Sequence, residues 1–142
     1  MIAETILCLA LNVYHEARGE GPEGMTAVGT VTLNRTAHPD WPDTVCEVVW
    51  QEAQFSWTRG DPPVTEPDAW RMAKIIATDL LLGEADEVLD HRALYYHTTA
   101  VSPGWAARLQ LLGQIGTHVF YTLPERIPTA RGAVRPQPRQ ET

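Results

Sequence analysis

The opening run of the chain, Ile2 to Arg18, reads as an apolar helix that carries a carboxylate on its own buried line. Two helical turns take about seven residues, so Ile2, Leu9 and Glu16 fall close to one line. Leu9, Val13 and Ala17 run beside it as an i, i+4, i+8 stripe. An ionised glutamate on such a face is costly, so it either finds a partner or is pushed toward its neutral form by desolvation. A carboxyl kept protonated near neutral pH is what a general acid requires. Gly19 and Gly21-Pro22 then stop the helix, which leaves Glu16 in the last turn beside a bend where a cleft can open. On spacing alone, a structural ion pair with Arg18 or Arg35 explains the same placement equally well.

The rest of the chain supplies the scaffold. Pro22 starts a second helix that runs to about Arg35, although residues 29–33 would also alternate as a strand. Its small residues Gly24, Ala27 and Gly29 let it lie close to a neighbour. Asp43 is placed to cap a short helix from Thr44 to Gln51. A longer helix spans Pro67 to Leu82 and ends at Gly83. Residues 93–98 and 117–122 are rich in aromatic and β-branched side chains, as strands are. About 20 residues, with a helical turn at Ala106 to Leu112, lie between them and suit an antiparallel pair joined by a long loop. The expected fold is α+β: a mostly helical domain over residues 1–123 with a C-terminal antiparallel strand pair. A Pro- and Arg-rich tail over 124–142 has no apolar face and is expected to be disordered.

Composition narrows the function classes. A chain of 142 residues suits one domain with its own core. Cys8 and Cys46 each fall on an apolar segment and read as small core residues. The net charge is −7, and because residues 126–142 carry +3 the remainder carries −10. An acidic body argues against a nucleic-acid partner. The N-terminus lacks a basic n-region and Glu4 interrupts its apolar run, so no signal peptide is read there. No run is long enough for a membrane anchor. A chain made in the cytoplasm without its own export address is the expectation.

Trp41, Trp57 and Trp105 stand beside Pro, Gly or Ser in loops, where rings can stack on sugars, whereas Trp50 and Trp70 sit on helical faces and read as core. Glycosidic cleavage normally uses two carboxylates. Glu16 is the acid candidate, and Glu20, one turn further on, is a second that could instead only favour the next helix's N-terminus. A one-carboxylate scheme also exists, in which muramic acid supplies its own C6 hydroxyl as nucleophile. His15-Glu16 opens like a zinc-binding His-Glu-x-x-His motif, but position 19 is Gly, and His91, His97 and His118 could assemble a site only through the fold. No metal or cofactor is expected.

At this point the residues carry a resemblance. Tyr14, Glu16-Ala17-Arg18-Gly19-Glu20, Gly24, Ala27-Val28 and Leu33-Asn34-Arg35 are similar to the SleB-type cell-wall hydrolases, the spore cortex-lytic enzymes and their phage and bacterial relatives. Thr44-Val45-Cys46, Val49, Gln54-Phe55-Ser56-Trp57, Ala93-Leu94-Tyr95-Tyr96-His97, Trp105 and Ile115 to Tyr121 follow in order, so the resemblance covers residues 5–122. It implies a small lysozyme-like domain acting on peptidoglycan glycan strands, with Glu16 as acid/base. It further implies a strand tyrosine, Tyr96 rather than Tyr95, bonded to Glu16. Glu20 is kept as a further catalytic candidate. Gln54, Phe55, Ser56, Trp57, Tyr95, His97, Trp105 and His118 are the residues expected to line the substrate groove.

The expected activity is lytic transglycosylation of the bond between N-acetylmuramic acid and N-acetylglucosamine. A muramidase using Glu16 and Glu20, a zinc amidase cutting the peptide stem, and a non-catalytic glycan-binding module are the alternatives. Without a wall-binding domain or leader, a monomeric phage lysin released to the wall by a holin-like, membrane-permeabilising partner fits better than a spore role.

Overall fold

The computed structural model describes residues 2–51 and 55–124. Gln54 and the tail beyond Pro124 lie outside the described residues. Four helices come first: α1 (Ile2–Ala17), α2 (Gly21–Thr36), α3 (Val45–Trp50) and α4 (Pro67–Leu82). Three strands follow: β1 (Tyr95–Thr98), β2 (Gln110–Ile115) and β3 (His118–Thr122), with short 3-10 turns at Ser56–Arg59 and Gly104–Arg108.

The expected boundaries of α1, α2 and α4 hold, for the reasons the sequence gives. Proline occupies the first turn of α2 and of α4, where its missing N–H costs nothing, and Gly83 leaves α4 at φ 73°. Leu9, Val13, Val28, Val31, Ala73 and Ala77 are wholly buried between these helices. Gly29 is the point of closest approach. A Cβ there would stand 2.5 Å from Leu80 Cδ1 and 3.2 Å from Val13 Cγ2, so α1, α2 and α4 meet across it. The start of α4 has no side-chain cap of its own; instead the Tyr14 hydroxyl accepts the backbone N–H groups of Thr65 (3.1 Å) and Glu66 (3.0 Å). That use of orphan amides pins α4 to the last turns of α1.

Three expectations need correction. The cap of α3 is Thr44, not Asp43: its Oγ1 accepts from Glu47 N and donates to the Glu47 carboxylate. Cys8 and Cys46 are not free core thiols but a disulfide joining α1 to α3, with Cα atoms 5.2 Å apart. The segment expected as a loop with a helical turn contains a third strand, β2. β2 escaped notice because Gln110-Leu111-Leu112-Gly113-Gln114 lacks β-branched residues, and a register shift between Leu111 and Gly113 breaks its alternation.

The sheet is antiparallel in the order β1-β3-β2. Its register pairs Tyr96 with Phe120 and Tyr95 with Tyr121, so alternation sorts the aromatic residues onto two faces. Tyr96 and Phe120 pack into the helical core, while Tyr95 and Tyr121 form a second cluster with Trp41, Val48, Leu94 and Trp105.

Because the disulfide closes a separation of 38 residues, removing it frees the unfolded chain. Cys8→Ser/Cys46→Ser, or reduction of the native protein, should lower unfolding free energy by about 4 kcal/mol on the chain-entropy relation. Urea unfolding with and without reductant reads this directly, and coincident curves would contradict it.

Candidate active site

Glu16 reaches the site from the last turn of α1, where Gly19 and Gly21 (φ 79°) turn the chain into α2. The Tyr96 hydroxyl donates to Glu16 Oε1 at 2.6 Å. Tyr96 is wholly buried among Phe55, His118 and Phe120, with ring centroids at 6.4, 5.3 and 5.8 Å. Burial, then the charge of Glu16, pushes the phenol well above its ordinary pKa. Tyr96 therefore keeps its proton at all working pH values and remains a donor to the carboxylate.

Behind this pair lies Arg35, fully buried. Its guanidinium sits 5.1 Å from the Trp41 ring centroid and 5.4 Å from those of Phe55 and Tyr95, and its Nε donates to Leu94 O at 2.8 Å. Burial lowers its pKa to about 10, against the opposing pull of the tyrosines and Glu16, so it stays cationic at neutral pH. The carboxylate thus has a phenol donor in contact and a buried positive charge in range. Polar aromatic packing of this kind is worth more out of water than in it.

Glu20 is differently employed. Its Oε1 accepts three bonds, from Thr117 N (2.7 Å), Thr117 Oγ1 (2.6 Å) and His118 Nδ1 (2.8 Å). Gly116 makes room: at φ 57° it forms the turn, and a Cβ there would stand 2.9 Å from the same oxygen. Burial alone would raise the Glu20 pKa, but the bonds from Thr117 and His118 outweigh it and hold the carboxyl below its usual value of 4.5. Glu20 ties the α1–α2 bend to the β2–β3 turn.

On the other flank, Asn12 lies one turn before Glu16. Its Oδ1 accepts the Trp57 indole N–H at 2.8 Å and its amide donates to Thr32 Oγ1 at 3.2 Å. Trp57 stacks on His15 with centroids 4.6 Å apart and meets Trp50 edge-on at 5.1 Å. Burial, and then the charge of Arg18, lowers the His15 pKa, with Asp61 opposing, so the ring under Trp57 is neutral at pH 7.

A family model described as cell wall hydrolase matches residues 19–121. The chain belongs to the cell wall hydrolase family. The spore cortex-lytic enzyme of Bacillus subtilis (strain 168) is 33% identical over 117 residues, 81% of this chain and 36% of that protein. That of Halalkalibacterium halodurans is 30% identical over 115 residues, 81% of this chain and 34% of that protein. The chain therefore spans about a third of the length of these curated relatives. Among solved structures, the catalytic domain of the germination-specific lytic transglycosylase SleB from Bacillus anthracis matches with a TM-score of 0.70 at 27% identity, over 83% of this chain and 93% of that one. The catalytic domain of the Bacillus cereus SleB protein matches at 0.71 and 28%, over 83% and 89%. The α+β fold, mostly helical with an antiparallel sheet, is shared with both.

Within this cell wall hydrolase domain the structure gathers some expected site residues and separates others. Glu16, Tyr96, Phe55 and His118 come together, with Trp57 next to them through Asn12. Ser56 is exposed in the 3-10 turn beside Phe55.

Tyr95, His97 and Trp105 do not join them. All three are buried on the opposite face of the sheet, where His97 bonds the Tyr121 hydroxyl at 2.8 Å and packs against Trp105. Period-two alternation sends Tyr95 and His97 to the face opposite Tyr96, and Trp105 packs on that same far side.

Trp41, Trp57 and Trp105 are no more than 8% exposed, so loop position did not mean exposure, while Trp50, expected in the core, is 42% exposed. The three histidines weighed as zinc ligands are dispersed: His118 on Glu20, His97 on Tyr121, and His91 at the surface. Asn12 carries no mark in the sequence pattern; Arg35 is marked there as an ion-pair partner for Glu16, and His15 as half of an incomplete zinc motif.

A depressed carboxyl pKa means the unfolded state binds the proton more readily, so the stability Glu20 contributes is complete above about pH 4.5 and is lost as pH falls through the folded value. Glu20→Gln should therefore destabilise the protein at pH 7, and the difference from the native protein should shrink as pH falls below 4.5. Denaturant titrations over a descending series of pH values test this; a constant difference would show that the carboxylate's charge is not what holds the turn.

Proposed function

We propose that this domain cleaves the glycosidic bond between N-acetylmuramic acid and N-acetylglucosamine in peptidoglycan by lytic transglycosylation, with Glu16 as sole acid and base. The observation that carries the reading is the Tyr96–Glu16 hydrogen bond in a site where, among the described residues, the neighbouring carboxylate Glu20 is bound three times over by the β2–β3 turn. Membership of the cell wall hydrolase family and likeness to catalytic domains titled as SleB, one of them a lytic transglycosylase, support the substrate class.

The chemistry follows from one carboxyl used twice. With Oε1 accepting from Tyr96, the neutral acid carries its proton on Oε2 and delivers it to the glycosidic oxygen as the bond to muramic C1 breaks. The resulting carboxylate, stabilised by the Tyr96 donor and the Arg35 charge, then takes the proton of the muramic C6 hydroxyl as that oxygen bonds to C1. The product is a 1,6-anhydro end, no water is consumed, and Glu16 is returned to its acid form. A muramidase would need a second carboxylate free to act on C1 or on water. The three donors on Glu20 Oε1 disfavour it for that task and assign it to positioning instead.

As a phage lysin, the domain would work at the wall after release by a membrane-permeabilising partner. The Cys8–Cys46 bond supports a workplace outside the reducing cytosol.

Glu16→Gln keeps the shape and removes the transferable proton, so release of soluble fragments from purified peptidoglycan should fall by about 10²–10⁴-fold. Tyr96→Phe should lower kcat strongly with little change in Tm, whereas Tyr95→Phe, on the other face, should leave kcat unchanged. An active Glu16→Gln protein would overturn the scheme.

A further inference from the structure

The aromatic residues beside Glu16 do not stop at the buried pocket. His15, the residue before Glu16, is half-buried and stacks on Trp57 with planes 29° apart. Trp57 is 8% exposed and held by its N–H on Asn12, so it is a fixed floor rather than a mobile ring. Its far edge meets Trp50, which ends α3 and is 42% exposed. Successive centroid spacings of 4.6 and 5.1 Å link His15, beside Glu16, to Trp50 through Trp57.

Trp50 is exposed but not free to move. Two features hold it in place: the edge contact with Trp57, and the disulfide that fixes α3 to α1 four residues earlier, at Cys46. Trp50 is thereby presented at low conformational cost, since side chains already ordered lose little further entropy on binding. We propose that the exposed face of Trp50 is a sugar-stacking subsite, at which one ring of a glycan strand rests while the scissile bond lies over Glu16. The inference rests on the peptidoglycan reading of the site and adds to it the residue that holds the strand on this flank. An apolar aromatic face suits the axial C–H surface of a pyranose, and continuity with Glu16 through His15 and Trp57 selects a saccharide over an unrelated protein partner. Trp50 would act in binding, not in bond cleavage.

The test separates binding from turnover. In Trp50→Ala, the apparent KM on purified peptidoglycan should rise about tenfold, equivalent to roughly 1.4 kcal/mol, with kcat unchanged. Trp50→Phe, which keeps a flat ring, should recover most of the loss. The same order should appear without catalysis, as weaker co-sedimentation of Glu16→Gln/Trp50→Ala than of Glu16→Gln with insoluble peptidoglycan. Leu82→Ala removes another exposed apolar side chain, 57% exposed at the end of α4 remote from Tyr14, and should change nothing. An unchanged KM and unchanged co-sedimentation in Trp50→Ala, or a loss confined to kcat, would overturn the subsite. A native protein that neither binds nor cleaves peptidoglycan would instead overturn the proposed function on which the subsite rests.

Discussion

The hydrogen bonds from the end of α2 to the chain entering β1 set the geometry of the whole site. Asn34 Nδ2 donates to Asp90 O (3.3 Å) and Ala93 O (2.9 Å), and Arg35 Nε donates to Leu94 O (2.8 Å). Together they fix where β1 begins, and in a strand that also fixes which side chains point inward. A slip of one residue would turn Tyr96 to the far face and bring Tyr95 or His97 inward, so that the side chain now bonded to Glu16 would be lost from it. Burying a guanidinium is expensive, and here three aromatic faces and a backbone acceptor compensate it. The same cation lies in range of the Glu16 charge, so the group that sets the register also favours the ionised state that the acid must reach during the reaction.

Around that centre the other constraints each hold one border. Glu20 and Gly116 lock the β2–β3 turn to the bend after α1. Tyr14 and the exposed Arg18–Glu66 pair (2.6 Å) hold the start of α4 against the same end of α1. The contribution of that exposed pair is small; the two backbone amides accepted by the buried Tyr14 hydroxyl matter more, because left unmet they would each cost a hydrogen bond. The disulfide anchors the middle of α1 to α3. These tethers hold α1 and the bend that follows it, so that the reactive group is carried by a rigid element rather than by a loop.

How much of this was legible in the sequence varied with the physics involved. Helical periodicity and proline and glycine punctuation locate α1, α2 and α4, and the heptad placement of Glu16 marks it without reference to any strand. Motif resemblance, not pattern, chose Tyr96 over Tyr95, because two adjacent aromatic residues alternate equally well in either register. β2 was missed since Gly113 and a bulge erase its periodicity. The tryptophans were misassigned in both directions: local composition reports the loop in which Trp41 and Trp105 sit, not the second cluster that buries them, and a helical position did not bury Trp50. The Cys8–Cys46 pairing, and the placing of Arg35 rather than Arg18 behind Tyr96 and Glu16, depend on contacts across the fold that no local pattern reports.

The central claim is that one carboxyl, poised by Tyr96, closes a substrate hydroxyl onto C1 without using water. Digestion of purified peptidoglycan in ¹⁸O-labelled water, followed by mass spectrometry of the released glycan ends, addresses it directly. The mechanism yields 1,6-anhydro-muramoyl ends that carry no label. Reducing muramoyl ends labelled at C1 would contradict it and restore a water-using, two-carboxylate hydrolysis.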